Sequence, residues 1–170
     1  MPLAIIRADG TFATGFGHLS RSLALGEALE RQGFKIGLLG QGFERIVSQF
    51  SLLPTLLLSP NNVGGEAEDA MQVLQHSPDF VVVDGYHFSR SFFAVLEAAE
   101  IPFLVIDDYG QTKSLAPTML VNQSPGPIEP LYSHFKSGTK LFLGPQYCLI
   151  RQEIGLAKNK FSASDRLNVF

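Results

Sequence analysis

Tryptophan is absent, and cysteine occurs once, at Cys148. A single cysteine excludes an internal disulfide framework and a multi-cysteine zinc site. It is compatible with a reducing compartment, and the expected location is cytoplasmic. Charge is sparse too: Asp, Glu, Lys and Arg make up 17% of 170 residues, with a formal net charge of −3. No cluster of Lys and Arg stands out, which argues against a nucleic-acid binder held by phosphate contacts. A net negative chain also gains nothing at an anionic membrane surface. Long apolar runs are missing. The opening MPLAIIRADG has only Leu3–Ile6 before Arg7, so no signal peptide is expected. No segment reaches the ~20 apolar residues of a membrane span.

What is present is apolar: 45% of the chain is hydrophobic, with 14 Phe. That composition excludes a disordered chain. The length suits about one domain, and a domain of ~150 residues buries close to 70% of its unfolded surface.

The pattern alternates strand and helix. Leu3–Ala8 is a short apolar run stopped by Asp9-Gly10. Gly17–Gln32 reads as a helix, with Leu19, Leu23, Gly26 and Leu29 on one side and Gly33 placed to cap its end. Lys35–Leu39 is a second strand, Phe43–Phe50 a short helix, and Thr55–Leu58 a third strand. Glu66–Gln75 reads as a helix with Ala67, Ala70, Met71 and Leu74 facing inward. Phe80–Val83 is apolar at every position, as for a parallel strand covered on both faces. Ser89 is a good N-cap for a helix over Arg90–Ala99. Further strands are predicted at Pro102–Ile106, Met119–Val121 and Leu141–Leu143. This alternation implies an α/β fold: a Rossmann-like, doubly wound parallel sheet. Residues 1–161 are expected to form that domain. Ser162–Asp165 is polar and linker-like, and Leu167–Phe170 begins a new alternating run. Residues 162–170 are therefore expected to be a linker and the start of a further domain.

In doubly wound sheets, ligands bind outside the carboxyl ends of the strands. Here those ends carry Asp9, then Asp84, Tyr86 and His87, then Asp107, Asp108 and Tyr109, then Asn122 and Gln123. Loops at the opposite edge, such as Ser77-Pro78-Asp79, read as ordinary turns. Strand ends are often polar because loops are wet, but four successive ends of this kind favour an active cleft.

The segment Arg7–His18 is the most informative. Gly15 and Gly17 allow positive φ and close backbone approach. The helix behind them offers unpaired N–H groups and a partial positive charge. His18 falls in the first turn, where the dipole disfavours the imidazolium, as a general base requires. A histidine that merely packs against the loop remains the plainer alternative. No G-x-G-x-x-G follows, and no Gly-Lys-Ser/Thr occurs, so NAD and ATP lack their usual signatures. Asp84, His87, Asp107 and Asp108 are metal-ligand types. Adjacent Asp107 and Asp108 would point to opposite faces of a strand, which argues against a shared ion. There is no Gly-x-Ser-x-Gly elbow. Cys148 reads as a packing residue, and His76 and His134 as solvated.

Taken in order, the motifs are similar to those of a known family. Arg7-Ala8-Asp9-Gly10, then Gly15-x-Gly17-His18-x-x-Arg21, then Leu23-Ala24-Leu25 resembles the opening of the UDP-2,4-diacetamido-2,4,6-trideoxy-β-L-altropyranose hydrolases of pseudaminic acid biosynthesis. Related spore-coat polysaccharide proteins share the pattern. Val82-Val83-Asp84-Gly85-Tyr86, Ile106-Asp107-Asp108 and Leu143-Gly144-Pro145-Gln146-Tyr147 follow in the same order, so the resemblance spans nearly the whole chain.

The resemblance implies a GT-B glycosyltransferase-like architecture of two Rossmann-like halves, this chain being the N-terminal one. It implies metal-free, cofactor-free hydrolysis of a UDP-sugar, inverting at the anomeric carbon. By the same resemblance His18 is the base that activates water, and Tyr86 a cleft residue. Arg7 and Asp9 shape the loop holding His18. Arg7, Asp9, Gly15, Gly17, Arg21, Tyr86, Asp107, Asp108 and Asn122 are the candidate substrate-binding residues. The expected partners are the UDP-sugar and a C-terminal domain of the same polypeptide, which supplies most UDP contacts. Two other readings stay open: a transferase that passes the sugar to an acceptor, and a non-catalytic sugar- or partner-binding module.

Overall fold

The structure, a computed structural model, describes residues 1–13, 15–60, 65–110, 115–126, 128–135, 138–151 and 154. The expected linker and domain start at 162–170, and most of the tail before them, lie outside the described residues.

Seven strands form one sheet: β1 (Leu3–Ala8), β2 (Lys35–Leu39), β3 (Leu56–Leu58), β4 (Phe80–Asp84), β5 (Phe103–Ile106), β6 (Met119–Asn122) and β7 (Lys140–Leu143). All pairings are parallel, in the order β3-β2-β1-β4-β5-β6-β7. The α-helices are α1 (Gly17–Arg31), α2 (Phe43–Ile46), α3 (Glu66–Leu74) and α4 (Arg90–Ala98). The expected Rossmann-like, doubly wound fold is present.

Side chains of β1 alternate between two cores, as the two-residue period of a strand requires. Ala4, Ile6 and Ala8 pack with Leu19, Leu23, Ile36 and Val82 on the α1 side. Ile5 packs with Ala70, Val73, Val81, Phe92 and Leu96 on the α3 and α4 side. Fully burying residues such as Leu19 and Leu23 is worth roughly 1.5–3 kcal/mol each, and it anchors α1 across the sheet.

Helix α1 stops as its sequence dictates. Gly33 has φ +90°, its amide donates to the Glu30 carbonyl (2.9 Å), and the Phe34 amide donates to the Leu29 carbonyl (3.1 Å). These two bonds make a Schellman cap. Ser89 caps α4 by accepting from the Ser91 amide.

Three local expectations need correction. Met71 and Ala67 of α3 are exposed, and the buried positions are Ala70 and Val73. The inward face also carries Asp69, which is paired with Arg7, so the helix turns on a polar contact that hydropathy ignores. The helix over Phe43–Phe50 is α2 followed by a 3₁₀ turn at Val47–Gln49. Cys148 is exposed rather than packed, because the chain at Pro145–Tyr147 makes a 3₁₀ turn at the surface.

The strand order reverses between β1 and β4: the chain leaves β1 toward β2 and returns to β4 on the other side. The loops after these two strands therefore diverge and open a crevice at the carboxyl edge.

Candidate functional site

Helix α1 starts at that crevice. Its N-cap residue Phe16 makes no side-chain capping bond, and its first turn carries no acidic residue. The first amides are left to solvent or a ligand. Gly15 has φ +80° and its amide donates to the Thr11 carbonyl (2.8 Å), which folds the preceding loop back on itself. Gly17 is the first helical residue and has no positive φ, contrary to expectation.

His18, Arg21 and Ser22 lie at spacings of three and four on α1, so they share the face toward β4. They meet Asp84, the last residue of β4, which has no exposed surface. Asp84 Oδ1 lies 2.7 Å from His18 Nδ1 and accepts from Arg21 Nη2 at 2.6 Å. Asp84 Oδ2 accepts from Arg21 Nε (2.6 Å) and Ser22 Oγ (3.2 Å). Arg21 Nη1 reaches both oxygens of Asp108 at 2.8 Å. The Tyr86 hydroxyl donates to Asp108 Oδ2 at 2.6 Å. The Tyr86 ring meets the His18 ring edge-to-face at 4.6 Å, and Tyr109 lies against Tyr86 at 5.3 Å.

This network sets protonation. Burial would lower Arg21, but the hydrogen bonds and charges of Asp84 and Asp108 outweigh it and hold the guanidinium charged. Burial, the hydrogen bond to Asp108 and that carboxylate's charge push the Tyr86 hydroxyl well above its usual range, so it stays a donor. Beside the network lies a cleft of about 480 Å3, lined by Gly17, His18, Ser20, Arg21, Tyr86 and Gln123 among others.

A second network braces the loop after β1. Arg7 is buried and donates Nε and Nη2 to Asp69 (2.8–3.1 Å). Its Nη1 lies 2.8 Å from Asp9 Oδ2, an ion pair off the hydrogen-bond line. Asp9 also accepts from the Gln41 amide (2.7 Å) and pairs with His87 Nε2 (3.1 Å). Phe88 lies under the Arg7 guanidinium at 4.8 Å. Consecutive residues of one loop thus touch both networks: Tyr86 joins the first, His87 and Phe88 the second.

The candidates therefore divide. His18, Arg21, Tyr86 and Gly17 line the cleft, and Asp108 holds Arg21 and Tyr86 beside it. Arg7, Asp9 and Gly15 build the loop behind it. Asp107 is buried and accepts from the Tyr109 and Gly110 amides (2.9 and 3.0 Å), a turn role. Asn122 is fully buried, donating to the Tyr132 hydroxyl (2.8 Å) and accepting from the Ser124 amide (2.8 Å). Asp69, Ser22 and the His18-facing role of Asp84 escaped the sequence reading. The His18-x-x-Arg21 spacing signalled the helix face but not its partner.

Among the described residues, no group of three or more His, Cys, Asp or Glu is arranged to hold a metal. The four metal-ligand types are dispersed: Asp84 and Asp108 hold Arg21, His87 holds Asp9, and Asp107 closes its turn. Among them, too, no helix is long and apolar enough to cross a membrane. A larger cavity of about 790 Å3 lies elsewhere, over the sheet face, between Leu25, Phe80, Leu104, Val121 and Phe142. It is apolar and away from the charged networks.

Three solved structures are similar to this chain. Acinetobacter baumannii MurG matches at 16% identity and TM-score 0.56, over 84% of this chain and 45% of that one. MnaA from S. aureus, solved with UDP, matches at 12% identity and TM-score 0.55, over 99% and 49%. UDP-N-acetylglucosamine 2-epimerase from Rickettsia bellii matches at 12% identity and TM-score 0.58, over 96% and 50%. The fold is Rossmann-like α/β, that of one half of a GT-B architecture. The chain spans about half the length of the structures it matches, and at these identities the likeness is one of fold. No family model and no curated protein matches the chain.

Proposed function

We propose that this chain is the catalytic-base half of a hydrolase that splits a UDP-activated amino-deoxy sugar at the C1–O bond. The sugar would enter nonulosonic acid or surface polysaccharide synthesis, as the resemblance to the pseudaminic acid enzymes implies. The observation that carries the reading is His18. It sits in the first turn of α1, at the switch-point crevice, with Nδ1 turned to buried Asp84, and it lines the cleft. Solved neighbours that hold UDP or act on UDP-N-acetylglucosamine favour a UDP-sugar as ligand.

The chemistry is light because UDP is a good leaving group. His18 Nε2 accepts a proton from water. The oxygen attacks C1 from the face opposite UDP, the C1–O bond breaks, and UDP leaves with the electron pair. Such base catalysis contributes about 10²–10⁴-fold. The open N-terminal amides of α1 offer the diphosphate partial positive charge. Arg7 and Arg21 are not free for that task, since carboxylates hold both guanidiniums. In this reading a second domain supplies the main UDP contacts. Product analysis tests the proposal: free sugar plus UDP supports it, and a glycosylated acceptor or a UDP-bound epimer contradicts it.

A further inference from the structure

His18 Nδ1 has two polar neighbours, and they make opposite demands. Asp84 Oδ1, at 2.7 Å, requires a proton on Nδ1. Arg21 Nη2, at 3.1 Å, requires a lone pair there. Only one is satisfied in the neutral ring, and the distances decide. A bare Nδ1 would set its lone pair against a carboxylate oxygen at 2.7 Å that has no exposed surface. A protonated Nδ1 makes a charge-assisted bond of ordinary length to that oxygen. Arg21 Nη2 keeps its shorter bond to Asp84 Oδ1 at 2.6 Å and gives up only the longer contact to Nδ1.

We propose that Asp84 is a positioning residue that fixes His18 as its Nδ1–H tautomer and so leaves the Nε2 lone pair facing the cleft. The tautomer of a histidine is set by the bond its other nitrogen makes. Asp84 is suited to impose it because it cannot move. It ends β4 with no exposed surface, and the Arg21 fork grips both of its oxygens. Arg21 also supplies the counter-charge, without which a buried carboxylate is costly. Through Nη1 the same guanidinium holds Asp108, and Asp108 holds Tyr86 against the His18 ring. One arginine thus braces the imidazole on two sides.

This extends the reading of His18 as a base, but its test needs no substrate. A long-range ¹H–¹⁵N spectrum of the ¹⁵N-labelled chain, at about two pH units above the usual histidine range, reports which ring nitrogen carries the proton. A His18→Gln variant assigns the signals among the four histidines. Wild-type His18 is expected to show a protonated Nδ1 and an unprotonated Nε2. The opposite pattern overturns the proposal. In Asp84→Asn the Nε2–H form is expected to become populated, and a folded variant that keeps the wild-type pattern also overturns it. If Asp84→Asn does not fold, the wild-type spectrum alone decides. In the turnover assay Asp84→Asn should lower kcat by about 10²–10⁴-fold with KM little changed. If no UDP-sugar is hydrolysed at all, the function fails while the tautomer result stands.

Discussion

At Asp9, burial and charge pull in opposite directions. Burial would raise its carboxyl, but the hydrogen bond from His87, the Arg7 charge and the Gln41 amide outweigh it. They hold the group down, from 3.8 to about 2. A depressed folded value stabilises the protein above the unfolded one, and that contribution is lost as pH falls from about 4 to about 2. Its size is on the order of 2 kcal/mol. Urea midpoints across that window should therefore fall for the wild type, and less steeply for Asp9→Asn. Equal slopes would show that Asp9 does not carry the effect. The pairing behind this was only partly legible. Arg7 and Asp9 are close in sequence, but Asp69 stands in the run Glu66–Asp69, which reads as a solvated acidic first turn. Only the fold turns it inward to Arg7.

At the scale of elements, α1 does most of the site's work. His18, Arg21 and Ser22 fall on one face by helical spacing, but only His18 and Arg21 stand out on it in the sequence. Asp84 is 66 residues from His18. The two meet because β4 pairs directly with β1, a strand order that local patterning does not encode. The same limit explains Asn122 and Asp107. Both stand at strand ends as expected of ligands, but the chain after each strand turns back and uses them to satisfy its own amides and Tyr132. Helix α4 allows an independent check on element chemistry. Its Schellman cap, with the Glu100 amide donating to the Glu97 carbonyl and the Ile101 amide to the Leu96 carbonyl, places Glu100 at φ +55°. A left-handed side chain costs roughly 1–2 kcal/mol, part of which glycine returns as unfolded-state entropy. Glu100→Gly should raise stability in urea by about 0.5–1 kcal/mol; an unchanged or lower value would contradict this account of the cap.

The whole molecule was the most legible scale. Apolar strands alternating with helices over the first four strands specify a parallel sheet covered on both faces, and polar strand ends mark the edge that carries the candidate site. The sparse charge has a counterpart in the site. Buried Arg7, part-buried Arg21 and their carboxylates spend it internally, leaving the two arginines bound to Asp9, Asp69, Asp84 and Asp108. In the proposed reading, a diphosphate would meet mainly helix amides here. Isothermal titration of UDP into this chain is expected to give a dissociation constant near the millimolar range, about −4 kcal/mol. Low-micromolar binding would contradict the proposal that a second domain supplies the main UDP contacts.

The central claim is that His18 activates water against a UDP-sugar. It is tested most directly by following a UDP-activated diacetamido sugar by NMR with the wild-type protein and with His18→Gln. The account predicts UDP and free sugar of inverted anomeric configuration from the wild type, and a rate about 10²–10⁴-fold lower in the variant. Retained configuration, or UDP release by His18→Gln at the wild-type rate, would contradict it.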